Sequence, residues 1–156
     1  MKRLESLAQQ LVDSVAKNDS EKVKELTYLF KEDINLPVEI KNNVKNDNIK
    51  RNALTVAVHH KFIELVKYLL DNLADVNIHT NNGKFSALTE AIYHSDSKIL
   101  KILLEKANSD TKHKALKYAI QVDKTECVNI ISDSILGDHE ALFETVEQVS
   151  LCGDSD

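Results

Sequence analysis

The chain has 156 residues, 42% of them hydrophobic and 29% charged, with a net charge of -5, as expected of one globular domain able to bury a core. That acidic balance argues against nonspecific binding to nucleic acid or anionic membranes, both of which select basic surfaces. No apolar stretch approaches the roughly 20 residues that span a bilayer, so no membrane insertion is expected.

Only three glycines and one proline occur, too few turn formers for a β-sandwich or barrel, so the reading is all-α. Met1 to Glu5 carries two cations but no apolar segment follows, because Glu5, Gln9, Gln10 and Asp13 interrupt it. No secretory signal is therefore expected. Cys127 and Cys152 form no Cys-x-x-Cys pair; with Val128 beside it, Cys127 reads as a buried reduced thiol, and the expected compartment is cytoplasmic.

A five-fold register organises the chain: Leu, two residues, a small residue, then a β-branched one. Its first copy is Leu11-Ser14-Val15, followed at fixed offsets by Val23 and Leu26. The polar break Lys17-Asn18-Asp19 between them predicts two short antiparallel helices, with Asp19 or Ser20 capping the second. This N-terminal cap repeat is expected over 1–33. An Asn- and Lys-rich insertion loop follows over 34–50, with a short helix expected at Pro37–Val44.

The second and third copies occupy 51–107. Leu54-Ala57-Val58 pairs with Val66 and Leu69, and Leu88-Ala91-Ile92 with Leu100 and Leu103. Asn52 and Ser86 stand where they cap the first helix of each, while Asp96, near His94, reads as a cap for the second. Between these copies, Asp75 to Lys84 is expected to form an extended finger with an Asn-Gly turn. A degenerate repeat over 108–136 has Leu116-Ala119-Ile120 with Val128 and Ile131, and a capping-box spacing at Asp123-Lys124-Thr125-Glu126. Gly137 then Asp138 predicts a helix stop and a fresh start. The last copy, Leu142-Thr145-Val146, is expected on a C-terminal cap helix over 137–152 that closes the core, with a tail at 153–156.

Asn52-Ala53-Leu54-Thr55-Val56-Ala57-Val58, then Ile63 to Leu70, then Ala74-Asp75-Val76-Asn77 resembles an ankyrin repeat, as does Ser86 to Ile92 with Ile99 to Glu105. The likeness is strongest over about 47–107. It departs from the family pattern at Lys61 and Ser95, where the inter-helix turn has glycine, and at Leu73, where glycine precedes Ala-Asp-Val-Asn. The resemblance implies an α-solenoid of stacked helix-turn-helix repeats with degenerate terminal caps. It also implies a protein partner bound through the finger tips and the ends of the first helices.

By that resemblance the binding residues are His59, His60, Tyr93, His94 and Gln121 on helix ends, with Asn48, Ile49, Arg51, Asn82 and Phe85 on fingers. His60 and His94 share a register position and are expected to stack on neighbouring repeats. A metal site is not expected, because His59 and His60 diverge on one helix and adjacent repeats lie roughly 10 Å apart. No cofactor is expected either. Catalysis lacks a Ser-His-Asp arrangement, a Gly-rich phosphate loop or a carboxylate–histidine zinc motif. His79, His113 and His139 read as surface residues.

The reading is a noncatalytic, monomeric protein-binding module. Its Asn- and Lys-rich, Gly-poor composition points to a low-GC genome, and the resemblance to divergent ankyrin proteins of that kind implies an effector of an intracellular bacterium that binds a host protein. The alternative is an assembly subunit docked permanently in its own complex or on a second copy.

Overall fold

The computed structural model describes residues 2–29, 31, 34–40 and 49–153. Among these lie eight helices: α1 (Lys2–Ala16), α2 (Ser20–Leu29), α3 (Ala53–His59), α4 (Ile63–Asp71), α5 (Ala87–Tyr93), α6 (Ser97–Leu104), α7 (Ser109–Gln121) and α8 (Thr125–Gly153). They form four antiparallel pairs in chain order. The first helices stack as α1, α3, α5 and α7, and α4, α6 and α8 stack behind them. The fold is an all-α repeat solenoid.

The register supplies the core, since helical spacing turns each small and β-branched pair toward the neighbouring repeat. Leu11, Val15, Leu54, Ala57, Val58, Leu88, Ala91 and Ile92 are all buried, as are their second-helix partners Val23, Leu26, Val66, Leu69, Leu100 and Leu103. The fourth copy departs from the pattern. Ala119 and Ile131 are buried, but Ile120 is 60% exposed, because among the described residues no first helix beyond α5 packs closely on α7.

Capping starts most helices where the residues allow it. Asn52 Oδ1 accepts from Thr55 N–H at 2.9 Å, Asp96 Oδ1 from Ile99 N–H at 3.1 Å, and Asp19 Oδ1 from Lys22 N–H at 3.2 Å. Ser86 and Thr89 form a reciprocal capping box, and Asn108 caps α7. Asp123 does not cap α8 as its spacing predicted. It sits instead in the left-handed turn between α7 and α8.

That turn repeats through the whole solenoid. Asn18, Lys61, Ser95 and Asp123 occupy equivalent inter-helix positions, with φ of 55°, 60°, 52° and 57°. Leu73, in the turn after α4, has φ 74° and is 62% exposed. The left-handed region disfavours residues with a Cβ by about 1–2 kcal/mol, least for Asn and Asp. Glycine relieves this but loses more backbone entropy on folding. Lys61→Gly and Leu73→Gly are each expected to raise stability by about 0.5–1 kcal/mol in urea unfolding. No gain at either position would contradict the turn geometry.

A short strand stands where the start of a helix at Pro37–Val44 was expected. β1 (Val38–Ile40) pairs antiparallel with β2 (Ile49–Arg51), Val38 opposite Arg51 and Ile40 opposite Ile49. Pro37 cannot donate a backbone hydrogen bond, and the β-branched residues that follow favour extension. Residues 41–48, which include the rest of the expected helix, lie outside the described residues. A second finger is closed by the Thr80–Phe85 bridge, with left-handed Asn81, Asn82 and Gly83 at its tip.

Successive loops are tied by asparagine amides. Asn35 Oδ1 accepts from Asp75 N–H at 2.7 Å, and Asn77 Oδ1 accepts from Asn108 N–H at 2.8 Å. The final residue of Ala74-Asp75-Val76-Asn77 thereby holds the next repeat in place.

The stop at Gly137 and the separate cap helix over 137–152 are corrected by α8, which runs unbroken for 29 residues. One glycine costs a helix interior only about 1 kcal/mol, and no proline follows. Asp138 is held by the buried Lys112 of α7. Leu142, the first residue of the fifth register copy, does not enter the core: it and Phe143 are 62% and 71% exposed. Of the expected tail, Gly153 ends α8 and 154–156 lie outside the described residues.

Cys127 is buried in the last pair. Burial pushes its thiol pKa up, helped by Glu126 and opposed by Lys124. Less thiolate forms at neutral pH, so labelling by iodoacetamide is expected to be slow in the folded chain and fast in urea. Equal labelling in both, read at the Cys127 peptide, would contradict its burial.

Candidate functional site

α3 and α5 are neighbours, and their last residues, His59 and Tyr93, share a cleft with Lys84 and Phe85 of the second finger. His60 and His94 are their C-caps, with nearly identical backbone angles (φ -87° and -86°). Matching backbones do not bring these two rings together. The pair that forms is His59 with His94: the centroids are 5.1 Å apart and edge-on, and His94 Nε2 lies 3.3 Å from His59 Nδ1. His60 turns outward and stacks on Phe62 at 5.4 Å. The expected His60–His94 stack is therefore corrected, because the residue one step earlier on α3 faces α5.

The group that joins them is Glu90, which is only 3% exposed. It sits one helical turn before His94 on α5. Its Oε1 is 2.5 Å from His59 Nδ1 and 3.1 Å from His94 Nε2. Its Oε2 is 3.6 Å from the Arg51 guanidinium, which also lies 5.5 Å over the Phe85 ring. Burying a carboxylate demands such compensation. Arg51 Nε is itself buried with no hydrogen-bond partner among the described residues. The helix register did not single out Glu90, although its spacing of four from His94 was visible in the sequence.

His59, Glu90 and His94 present one ligand atom each, all within 4.8 Å of one another. The expectation against a metal rested on the distance between repeats. That distance describes helix axes, and the side chains at the helix ends reach across it.

The other expected residues are spread around this cluster. Tyr93 is 66% exposed and meets His94 edge-on at 5.2 Å. Phe85 is half-buried, Asn82 is exposed at the finger tip, and Gln121 is exposed at the end of α7. Ile49 pairs through its backbone in β2, and Asn48 lies outside the described residues. Burial, with lesser contributions from His59 and Arg51, lowers the His60 pKa against the pull of Glu90. Burial, then Glu90 and Tyr93, raises that of Tyr118.

Two adjoining clefts run along this face. One, of about 410 Å³, is lined by Arg51, His59, Lys84, Phe85, Thr89, Glu90, Tyr93 and Tyr118. The other, of about 470 Å³, is lined by His79, Gly83, Lys84, Thr89, Lys114, Lys117, Tyr118 and Gln121. Together they make a groove between the second finger and the helices α5 and α7. Lys84 and Lys117 form no ion pair among the described residues, whereas Lys114 meets Asp110 at 3.1 Å.

Stacked helix pairs, projecting fingers and a groove between them define a repeat-solenoid binding scaffold. The family model for ankyrin repeats, in three copies, matches residues 11–114. The chain belongs to the ankyrin-repeat family. Ankyrin repeats generally mediate protein–protein interaction and are typically noncatalytic. No curated protein matches the chain. No helix among the described residues is long and apolar enough to cross a membrane.

Proposed function

We propose that the chain is a noncatalytic protein-binding module whose groove takes an acidic segment of a protein partner. The observation that carries this is the groove's character on a chain of net charge -5. Arg51, Lys84, Lys114 and Lys117 line it together with Phe85, Tyr93 and Tyr118. Cations beside the exposed Tyr93 ring and the half-buried Phe85 and Tyr118 rings supply both steering and anchoring contacts. Catalysis has no part in this reading, and the module acts as a monomer in the cytoplasm.

Lys84→Glu with Lys117→Glu tests it. Both side chains are exposed, so the melting temperature should hold while affinity capture loses the wild-type partners. An identical captured set, read by mass spectrometry, would contradict the groove. Capture from host-cell lysate compared with bacterial lysate tests the effector role that the resemblance to divergent ankyrin proteins implies.

A second reading, permanent assembly, is favoured by the apolar end of the solenoid. Leu136, Leu142 and Phe143 are all more than half exposed within about two turns of α8, and exposed apolar side chains grouped in this way mark an interaction surface. Light scattering separates the two: a stable homodimer at micromolar concentration supports assembly, and a monomer supports the free-standing binder.

A further inference from the structure

We propose that His59 Nδ1, His94 Nε2 and Glu90 Oε1 form a binding site for a divalent transition cation of the zinc class, with a fourth position open. Two imidazoles and one carboxylate suit a borderline-soft cation, and three protein ligands leave room for water or an incoming group. The inference is independent of partner binding, and either can fail alone.

The distances carry it. With bonds of 2.0–2.1 Å, neighbouring ligand atoms of a tetrahedral zinc centre lie about 3.3 Å apart. The two contacts of His94 Nε2, at 3.3 Å to His59 Nδ1 and 3.1 Å to Glu90 Oε1, match that edge. The remaining edge, 2.5 Å between His59 Nδ1 and Glu90 Oε1, must open by roughly 0.8 Å to reach it. His59 stands at the end of α3 with its side chain 38% exposed, so a rotation of its ring supplies that movement.

The scaffold fixes the other two ligands. Glu90 and His94 are four residues apart on α5 and project from one face. Arg51 engages Oε2 of the same carboxylate, which orients Oε1 toward the histidines as outer-shell partners of ligands do. Glu90 and His59 also line the 410 Å³ cleft, which gives an ion a path of entry. Binding displaces any proton held on these nitrogens, so affinity weakens on acidification.

The test is a zinc titration of the intact chain, by calorimetry and by competition with a chromophoric chelator. Wild type should bind one ion per chain and show a rise in melting temperature when zinc is added. Outer-shell changes weaken a site by about 10–100-fold, so losing a ligand should weaken it by about 100-fold or more. His59→Ala, His94→Ala and Glu90→Gln should each do so, while His113→Ala should bind like wild type. Glu90→Gln keeps the shape of the buried side chain, and unchanged circular dichroism shows that the loss is not unfolding. Intense visible absorption of the cobalt-loaded chain would mark four-coordination. Absence of saturable zinc binding by folded wild type overturns the proposal. So does a folded His59→Ala/His94→Ala variant that binds as tightly as wild type, which would place the ion elsewhere.

Discussion

Leu88→Ala is expected to lower the free energy of unfolding by about 2–5 kcal/mol. Leu88 is fully buried in α5, the helix packed against α3, α6 and α7. Neighbours on three sides limit how far the cavity left by the substitution can collapse. Each repeat is stabilised mainly by its neighbours, so the damage reaches the repeats on both sides. The same change at Leu142, which fits the same letter pattern but is 62% exposed, should cost less than about 0.5 kcal/mol. Equal losses at the two positions in urea unfolding would contradict the register as drawn.

Glu90→Ala should destabilise the chain by about 3 kcal/mol, since removing one partner of a buried ion pair leaves the other uncompensated. Here it leaves the Arg51 guanidinium, whose side chain is 12% exposed, together with two imidazoles that share the lost oxygen. Arg51 keeps its contact with Phe85, which places the figure at the lower end of the range for such pairs. Tyr93→Ala, at an exposed ring on the same helix, should change stability by less than about 0.5 kcal/mol. A Glu90→Ala loss no larger than that of Tyr93→Ala, in the same unfolding series, would show that the cluster adds nothing to folding.

The core was legible because burial in a solenoid follows a local period. Leu54, Ala57, Val58, Val66 and Leu69 stand at spacings that only paired helices satisfy. The caps at Asn52, Ser86 and Asp96 were legible for the same reason, since cap and acceptor lie within one turn.

What was not legible depended on distant partners. Ile120 carries the same letters as Ile92, yet its exposure is decided by whether another helix stacks on α7. Gly137 looked like a stop because glycine is a common helix terminator, but its local penalty is small. A continuous helix keeps the backbone bonds on either side of it, and Lys112 of α7 holds the next residue. Val38–Ile40 is a strand because Ile49–Arg51 comes back alongside it.

The candidate site divides the same way. Counting from each Leu found His59, His60, Tyr93 and His94. The contact between His59 and His94, and the buried carboxylate that joins them, needed α3, α5 and β2 in place together. Lys84, Lys114, Lys117 and Tyr118 were missed because no one repeat holds them all. The groove they line appears only when finger and helices are stacked.

The central claim is that this groove, rather than the back of the solenoid, meets the partner. Hydrogen exchange on the intact chain, with and without a captured partner, tests it most directly. Protection is expected over residues 79–86 and at the C-terminal ends of α3, α5 and α7. Protection confined to α4, α6 and α8, with the groove exchanging as in the free chain, would contradict it.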